Sequence, residues 1–370
     1  MSATLMIVAG EVSGDIHAGN LLAALRTMAP GLSAFGVGGD RLAANGLSCI
    51  ATTDQLAHMG LIEVLRELPR IRGVMHRLVA EARSRRPALA VLVDSPDFNL
   101  RLAARLRRIG VPVVLYVSPQ LWAWRRGRVR VVRRLAREVL CLLPFEVDFY
   151  REHGVRARYV GHPLVDDVAA DGPPCVPLDA VPGRLALLPG SRGMEVQHLL
   201  PTMLRALKSL DGDSVTDAVL IEAPGVGKAI DRVLAGEAVD PRLRRVVGRA
   251  RRSELASAPL AWTASGTATL ECALLDVPMI IGYRLQPLSY AVAKHLVRID
   301  HVGLVNLIAG RRLAPELIQH DWSPDRLAET TRLVLADGLE TQRSGLVRVR
   351  DSLGPPGASR RAAEAIIEHL

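Results

Sequence analysis

LALLPGSRGMEV, residues 185–196, runs four apolar residues straight into Pro189-Gly190-Ser191-Arg192-Gly193, and a helical pattern begins at Met194. A continuous short apolar run is how a strand buried on both faces of a parallel sheet reads, and a Gly-rich turn into a helix is the βα corner of such a sheet. In that corner the glycines admit an anion to the backbone N–H groups. The helix amino terminus adds partial positive charge, and Arg192 can grip phosphate through two parallel bonds. An ordinary strand-to-helix turn with a solvated Arg accounts for the same residues. The GxxxxGK[ST] spacing of a Walker A loop is absent.

Working outward, the unit repeats. Apolar blocks at Leu5–Ala9, Ala88–Val93, Val111–Val117 and Val139–Leu143 precede it, and Ala218–Glu222, Pro259–Thr263 and Pro278–Ile281 follow, each alternating with stretches of helical period. Repeated βαβ units in 370 residues predict two doubly wound α/β domains, with ligands at the carboxyl ends of the strands in a cleft between them. Residues 161–183, dense in Gly, Pro and Asp, are the expected linker. No internal repeat of 20–50 residues is present.

Composition narrows the function. Forty-nine per cent hydrophobic and 23% charged side chains describe a globular protein. Lys plus Arg is 47 against 38 for Asp plus Glu, a net +9, which suits anionic partners. Cys49, Cys141, Cys175 and Cys272 form no CxxC pair, so a disulfide framework or structural zinc site is not expected, and a reducing cytoplasm fits. No apolar run reaches the roughly 18 residues of a membrane-spanning helix. The start MSATLMIVAGE lacks the cationic segment of a secretory signal. Without HExxH or HxH pairs, no catalytic metal is expected.

A second anion-suited loop is Ala264-Ser265-Gly266-Thr267-Ala268-Thr269-Leu270-Glu271. Ser265 or Thr267 can cap the following helix, and Glu271, one turn past Thr267, can accept both hydroxyls of a ribose. Two such loops in one half favour a nucleotide ligand. No GxGxxG follows the first strand, which weakens a dinucleotide-dehydrogenase reading.

In the first half, Gly10-Glu11-Val12-Ser13-Gly14-Asp15 closes the first strand, with Glu11 at its carboxyl end and the small residues Ser13 and Gly14 admitting substrate. Asp15 falls in the first helical turn, where a dipole role suffices. In Asp94-Ser95-Pro96-Asp97 the parse is Ser95 as N-cap and Pro96 as the first helical residue, which leaves Asp94 at the strand end as the better general base. His162 in GHP is read as a hinge or ligand contact.

Two surfaces are basic and apolar together. MGLIEVLRELPRIRGVMHRLV, from Met59, offers Ile62, Val64, Leu65 and Leu68 with an arginine border, the composition of an interfacial helix, and Pro69 predicts a break in it. WAWRRGRVRVVRRLAR, residues 122–137, carries seven arginines beside Trp122 and Trp124, which suit a membrane interface. With 4% aromatics and no RNA-binding signature, anionic lipid is favoured over nucleic acid.

GEVSGD, MGLIEVL, DSPDFN, YVSPQLWAWR, LPFE, YVGHPL, LLPGSRGMEV, ASGTATLE and VNLIAGR stand in the order and spacing of the lipid-A-disaccharide synthase family. The chain resembles that family from Met6 to about Gly310. The resemblance implies an inverting glycosyltransferase of GT-B fold, with two Rossmann-like domains facing across a cleft and no cofactor. Its domains would be 1–170 for the lipid acceptor and 171–345 for the nucleotide, with a helix in 346–370 crossing back to the first. It implies UDP-2,3-diacylglucosamine as donor and 2,3-diacylglucosamine 1-phosphate (lipid X) as acceptor, at the cytoplasmic face of the inner membrane, and a homodimer made by exchange of the C-terminal helix. Asp94 would be the base for the acceptor 6-hydroxyl and Glu11 a second essential carboxylate, the choice between them staying open. Ser13, Gly14, Gly190, Ser191, Arg192, Glu195, Ser265, Gly266, Thr267, Glu271 and Asn306 would contact nucleotide or substrate. Val305 and Gln120 depart from the family's usual Pro and Ser. Another GT-B enzyme, a UDP-GlcNAc 2-epimerase or a transferase to a different lipid acceptor, is the alternative.

Overall fold

A computed structural model describes residues 3–56, 61–170, 180–210, 212, 214–286, 290 and 299–370, with residues 61–67 described in backbone only. The chain divides into two compact units, Met1–Pro163 with Pro355–Leu370, and Leu164–Gly354. The expected cuts at 170/171 and 345/346 fall at the end of the helix Pro163–Ala170 and inside the helix Leu339–Leu353.

The first unit holds β1 (Thr4–Ala9), β2 (Ser33–Gly38), β3 (Ser48–Thr52), β4 (Leu89–Val93), β5 (Val113–Tyr116), β6 (Glu138–Cys141) and β7 (Ala157–Tyr159). They form one parallel sheet in the order β3-β2-β1-β4-β5-β6-β7. Alternation along β1 fixes its two faces. Leu5, Ile7 and Ala9 meet Leu21, Leu22 and Leu25 of the helix Val12–Met28 together with Ala362, Ala363 and Ile366 of the C-terminal helix Ala358–Ile367. Met6 and Val8 point the other way, into a core with Leu78, Leu102 and Leu106. Gly36 of β2 is required where it stands, because a Cβ there would strike the Ile7 carbonyl.

The second unit holds β8 (Arg184–Leu188), β9 (Asp217–Ile221), β10 (Leu243–Val246), β11 (Leu260–Ala264), β12 (Met279–Tyr283) and β13 (Glu316–Ile318). All are parallel, in the order β10-β9-β8-β11-β12-β13. Leu185, Leu187 and Trp262 face Val196, Leu199, Leu200 and Met203 of the helix Gly193–Lys208. The Trp262 indole donates to Thr331 Oγ1 at 2.9 Å, which satisfies its one polar atom inside that core.

Two local expectations are corrected. The helix Leu61–Arg85 continues through Pro69, since proline removes only one N–H and neighbouring turns carry the helix past it. Within the expected linker, Pro163–Ala170 is helical; residues 171–179 lie outside the described residues.

Candidate functional site

In each sheet the strand order reverses about one pair, β1/β4 in the first unit and β8/β11 in the second. Loops leaving the carboxyl ends of such a pair diverge to opposite faces and open a crevice, where doubly wound sheets hold ligands. The registers Ala9↔Val93 and Leu188↔Thr263 bring the sequence-selected loops to these points: Gly10–Asp15 beside Asp94–Asp97, and Pro189–Gly193 beside Ser265–Glu271.

At the first switch point Asp94 is half-buried with φ +52°, and Ser95 follows at +43°. Non-glycine residues enter this left-handed region at a cost and concentrate at functional sites. The Asp94 amide donates to the Tyr116 carbonyl at 3.1 Å, while Asn99 Nδ2 donates to the carbonyls of Val93 at 3.0 Å and Asp94 at 2.7 Å. Ser95 does occupy the N-cap position before Pro96, but its backbone is left-handed there and it makes no side-chain cap bond. Glu11 and Ser13 are exposed at the start of the first helix, and Gly14 is buried, where a Cβ would sit in ordinary contact 3.7 Å from Asp94 Cβ. Asp15 has a different role from the expected one. It is buried and caps a neighbouring helix, accepting the amides of Gly39 at 2.6 Å, Arg41 at 3.0 Å and Leu42 at 3.2 Å.

Two histidines not expected together stand near Asp94. His17 and His162 meet edge to face with ring centroids 6.5 Å apart. Burial lowers the His17 pKa and the Asp94 carboxylate partly opposes it. Burial, and secondarily His17, lowers His162 to about 4, so His162 is a neutral imidazole at pH 7.

Beyond β5, Trp122 is buried at 8% exposure, its indole donates to Glu146 Oε1 at 3.0 Å, and its ring meets Phe145 at 5.0 Å. Its expected place at a membrane interface is therefore corrected: the indole donor is consumed inside the unit. Trp124 is half-buried under the Arg125 guanidinium, 4.3 Å from the ring centroid. Leu68 is half-buried; the side chains of Ile62, Val64 and Leu65 lie outside the described residues.

At the second switch point, Arg192 is 78% exposed and Glu195 folds back over the loop. Glu195 Oε2 accepts the Ser191 amide at 3.0 Å and the Arg192 amide at 3.2 Å, so these two donors are engaged by a carboxylate of the chain itself. Gly190, at φ +118°, leaves room for that carboxylate where a Cβ would collide. In the second loop the N-cap is Gly266, at φ +134°. Ser265 does not cap, since its hydroxyl donates to the Val302 carbonyl at 2.7 Å, and Thr267 is the first helical residue, exposed. Glu271 pairs with Arg252 Nε at 2.9 Å, a partner the sequence did not suggest.

Asn306 is a correction. It is fully buried, its Oδ1 accepts the amides of Leu313 at 2.9 Å and Ala314 at 2.8 Å, and its Nδ2 donates to the Ala314 carbonyl at 2.8 Å and Glu316 Oε1 at 2.9 Å. An amide with two donors and two acceptor positions filled is a structural knot rather than a lining group.

The fold is that of GT-B glycosyltransferases and nucleotide-sugar epimerases. Solved structures with it include an Acinetobacter baumannii MurG (TM-score 0.62, 13% identity, 100% of both chains) and a UDP-GlcNAc 2-epimerase from Neisseria meningitidis (TM-score 0.66, 9% identity, 99% of this chain and 100% of that one). Likeness at that identity speaks for the fold alone. Residues 5–365 match the family described as Lipid-A-disaccharide synthetase, and the chain belongs to that family. It is 45% identical over 375 residues to a lipid-A-disaccharide synthase of Myxococcus xanthus, covering 99% of this chain and 97% of that protein. To the Syntrophus aciditrophicus protein of the same name it is 40% identical over 372 residues, covering 98% and 96%.

Proposed function

We propose that the protein condenses UDP-2,3-diacylglucosamine with 2,3-diacylglucosamine 1-phosphate to give the β-1,6-linked tetraacyl disaccharide 1-phosphate and UDP. The family match over residues 5–365 carries this reading. In it, Asp94 takes the proton of the acceptor 6-hydroxyl as that oxygen bonds to the anomeric carbon and the bond to UDP breaks from the opposite face. Charge gathering on the departing β-phosphate is met by the fixed dipole at the amino terminus of Gly193–Lys208 and by Arg192, whose exposed guanidinium turns to it from Glu195. Glu271 takes the ribose hydroxyls, and Glu11 lies near the reacting sugars as a second carboxylate. Asp94→Asn should retain UDP binding and lower turnover by about a hundredfold or more, the scale of a lost general base. Near-normal turnover would remove Asp94 from the role.

The epimerase fold neighbours supply the second reading. An epimerase acts on UDP-GlcNAc without acyl chains, so assaying UDP-GlcNAc against its diacylated form separates the two.

Among the described residues no helix is long and apolar enough to cross a membrane. We place the protein on anionic phospholipid at the cytoplasmic face, docked through Leu61–Arg85 with Trp124. Replacing Ile62, Val64, Leu65 and Leu68 by Ser should release it from anionic vesicles, and unchanged partitioning would refute the docking. Exchange of the helix Ala358–Ile367 between two copies would give a homodimer, which light scattering of the full chain tests.

A further inference from the structure

We infer that Glu146 is a positioning residue for the reaction: through Trp122 it clamps the loop 117–128 beside Asp94 and keeps the two strand ends in their working shape. This inference rests on the reading of Asp94 as the base.

The end of β5 is the immediate neighbour of Asp94, since the Asp94 amide is bonded to Tyr116. The next residue, Val117, has φ +63°, a region that a β-branched side chain almost never enters. Three non-glycine residues, Asp94, Ser95 and Val117, are thus held left-handed at two adjoining strand ends. Such strain persists only where the surroundings over-determine it. Asn99 does this for Asp94.

For the Val117 loop the restraint comes from the helix Pro144–Glu152. Glu146 accepts the Trp122 indole N–H, and the Tyr150 hydroxyl donates to the Pro119 carbonyl at 2.7 Å. Phe145 backs the Trp122 ring, and Arg126 Nε returns to the Trp122 carbonyl at 3.2 Å. At the far end, Arg125 and Arg128 reach Asp97 at 3.2 and 2.6 Å, in the helix that Asp94 precedes.

Glu146 itself is 3% exposed, and its other oxygen accepts the Leu143 amide at 3.1 Å. A buried carboxylate is costly, and an apolar side chain of similar size packs a helix on a sheet more cheaply. What the carboxylate adds is a directional acceptor that fixes one indole N–H, and with it the loop. A misplacement of about 1 Å in a site suffices for a large loss of rate.

The test uses the full-length protein with both lipid substrates. Trp122→Phe removes the indole donor and keeps an aromatic ring, Glu146→Ala removes the acceptor, and Glu146→Gln keeps a carbonyl for Trp122 while giving up the oxygen that accepts Leu143. Trp122→Phe and Glu146→Ala should each lower kcat by about tenfold or more, with donor KM and the UDP dissociation constant within about twofold of the parent. Glu146→Gln should recover most of kcat. If Glu146→Ala does not fold, Trp122→Phe against Glu146→Gln decides. The inference is overturned if kcat of folded Trp122→Phe stays within about twofold while Asp94→Asn is inactive, or if kcat and UDP affinity fall and donor KM rises together with a loss of Tm. Full turnover by Asp94→Asn would instead remove the underlying assignment of the base.

Discussion

Arg192 and Glu195 meet at 3.3 Å across one helical turn, and the same Glu195 carboxylate holds the Ser191 and Arg192 amides. The pair is exposed, so its contribution to stability is small, and the guanidinium is available to turn toward a diphosphate. Arg192→Ala should weaken UDP binding by about tenfold or more while stability changes by less than about 0.5 kcal/mol. Arg192→Lys should not restore it, because an ammonium lacks the two-pronged geometry. Calorimetric titration with UDP beside urea unfolding checks both halves.

Glu271 is oriented by Arg252, which also donates to the Asp167 carbonyl at 2.7 Å. A carboxylate steadied in this way is suited to recognising a ribose diol. The protein should therefore prefer UDP to 2′-deoxy-UDP, and Glu271→Gln should reduce that preference to near parity. Equal binding of the two nucleotides by the unaltered protein would take Glu271 out of the ribose site.

Asn306 has four hydrogen bonds and no exposed surface. Asn306→Ala leaves the Ala314 amide without its acceptor inside the core and removes one donor from Glu316, which keeps the Val302 and Gly303 amides. The expected cost is on the order of 2–4 kcal/mol, with UDP affinity of the remaining folded protein unchanged. A specific loss of UDP binding without loss of stability would restore it as a ligand contact.

Two buried groups pull the pH dependence of stability in opposite directions. His162 titrates near 4 when folded and near 6.5 when unfolded, chiefly through burial. Between these values the unfolded chain binds more protons, so stability is lost as pH falls through that window, on the order of 3 kcal/mol in full. Glu146 is raised to about 7, burial outweighing the hydrogen bonds from its neighbours. There the folded chain binds more protons, so stability is lost as pH rises from about 4.5 toward 7. Urea unfolding across this range should show His162→Gln flattening the acid side and Glu146→Gln flattening the rise in cost toward neutrality. Unchanged profiles in both variants would contradict these assignments.

Central strands were legible because Leu5–Ala9, Leu89–Val93 and Leu185–Leu188 are buried on both faces and read as unbroken apolar runs. β2, β3, β7, β10 and β13 were not: Ser33-Ala34-Phe35-Gly36-Val37-Gly38 of β2 is buried but interrupted by small residues, and short outer strands such as Leu243-Arg244-Arg245-Val246 keep charged residues half in solvent and carry no periodic signal. The loops at the switch points were legible for a related reason: a parallel strand must leave the sheet through small, turn-forming residues. What each polar side chain does there was not. Trp122 and Asn306 have the composition of surface recognition groups, and only partners 24 and 10 residues away, Glu146 and Glu316, turn them inward. Asp15 was misjudged for the same reason, its three amides coming from residues 39–42.

The chain leaves the first unit at Pro163 and re-enters it at Pro355. Topologically, the second unit is an insertion within the first, and Ala362, Ala363, Ala365 and Ile366 are as much a part of the amino-terminal core as Leu5 or Ile7. Loss of residues 355–370 would therefore damage the half of the protein that is synthesised first. That half cannot complete its core until the ribosome has finished the other.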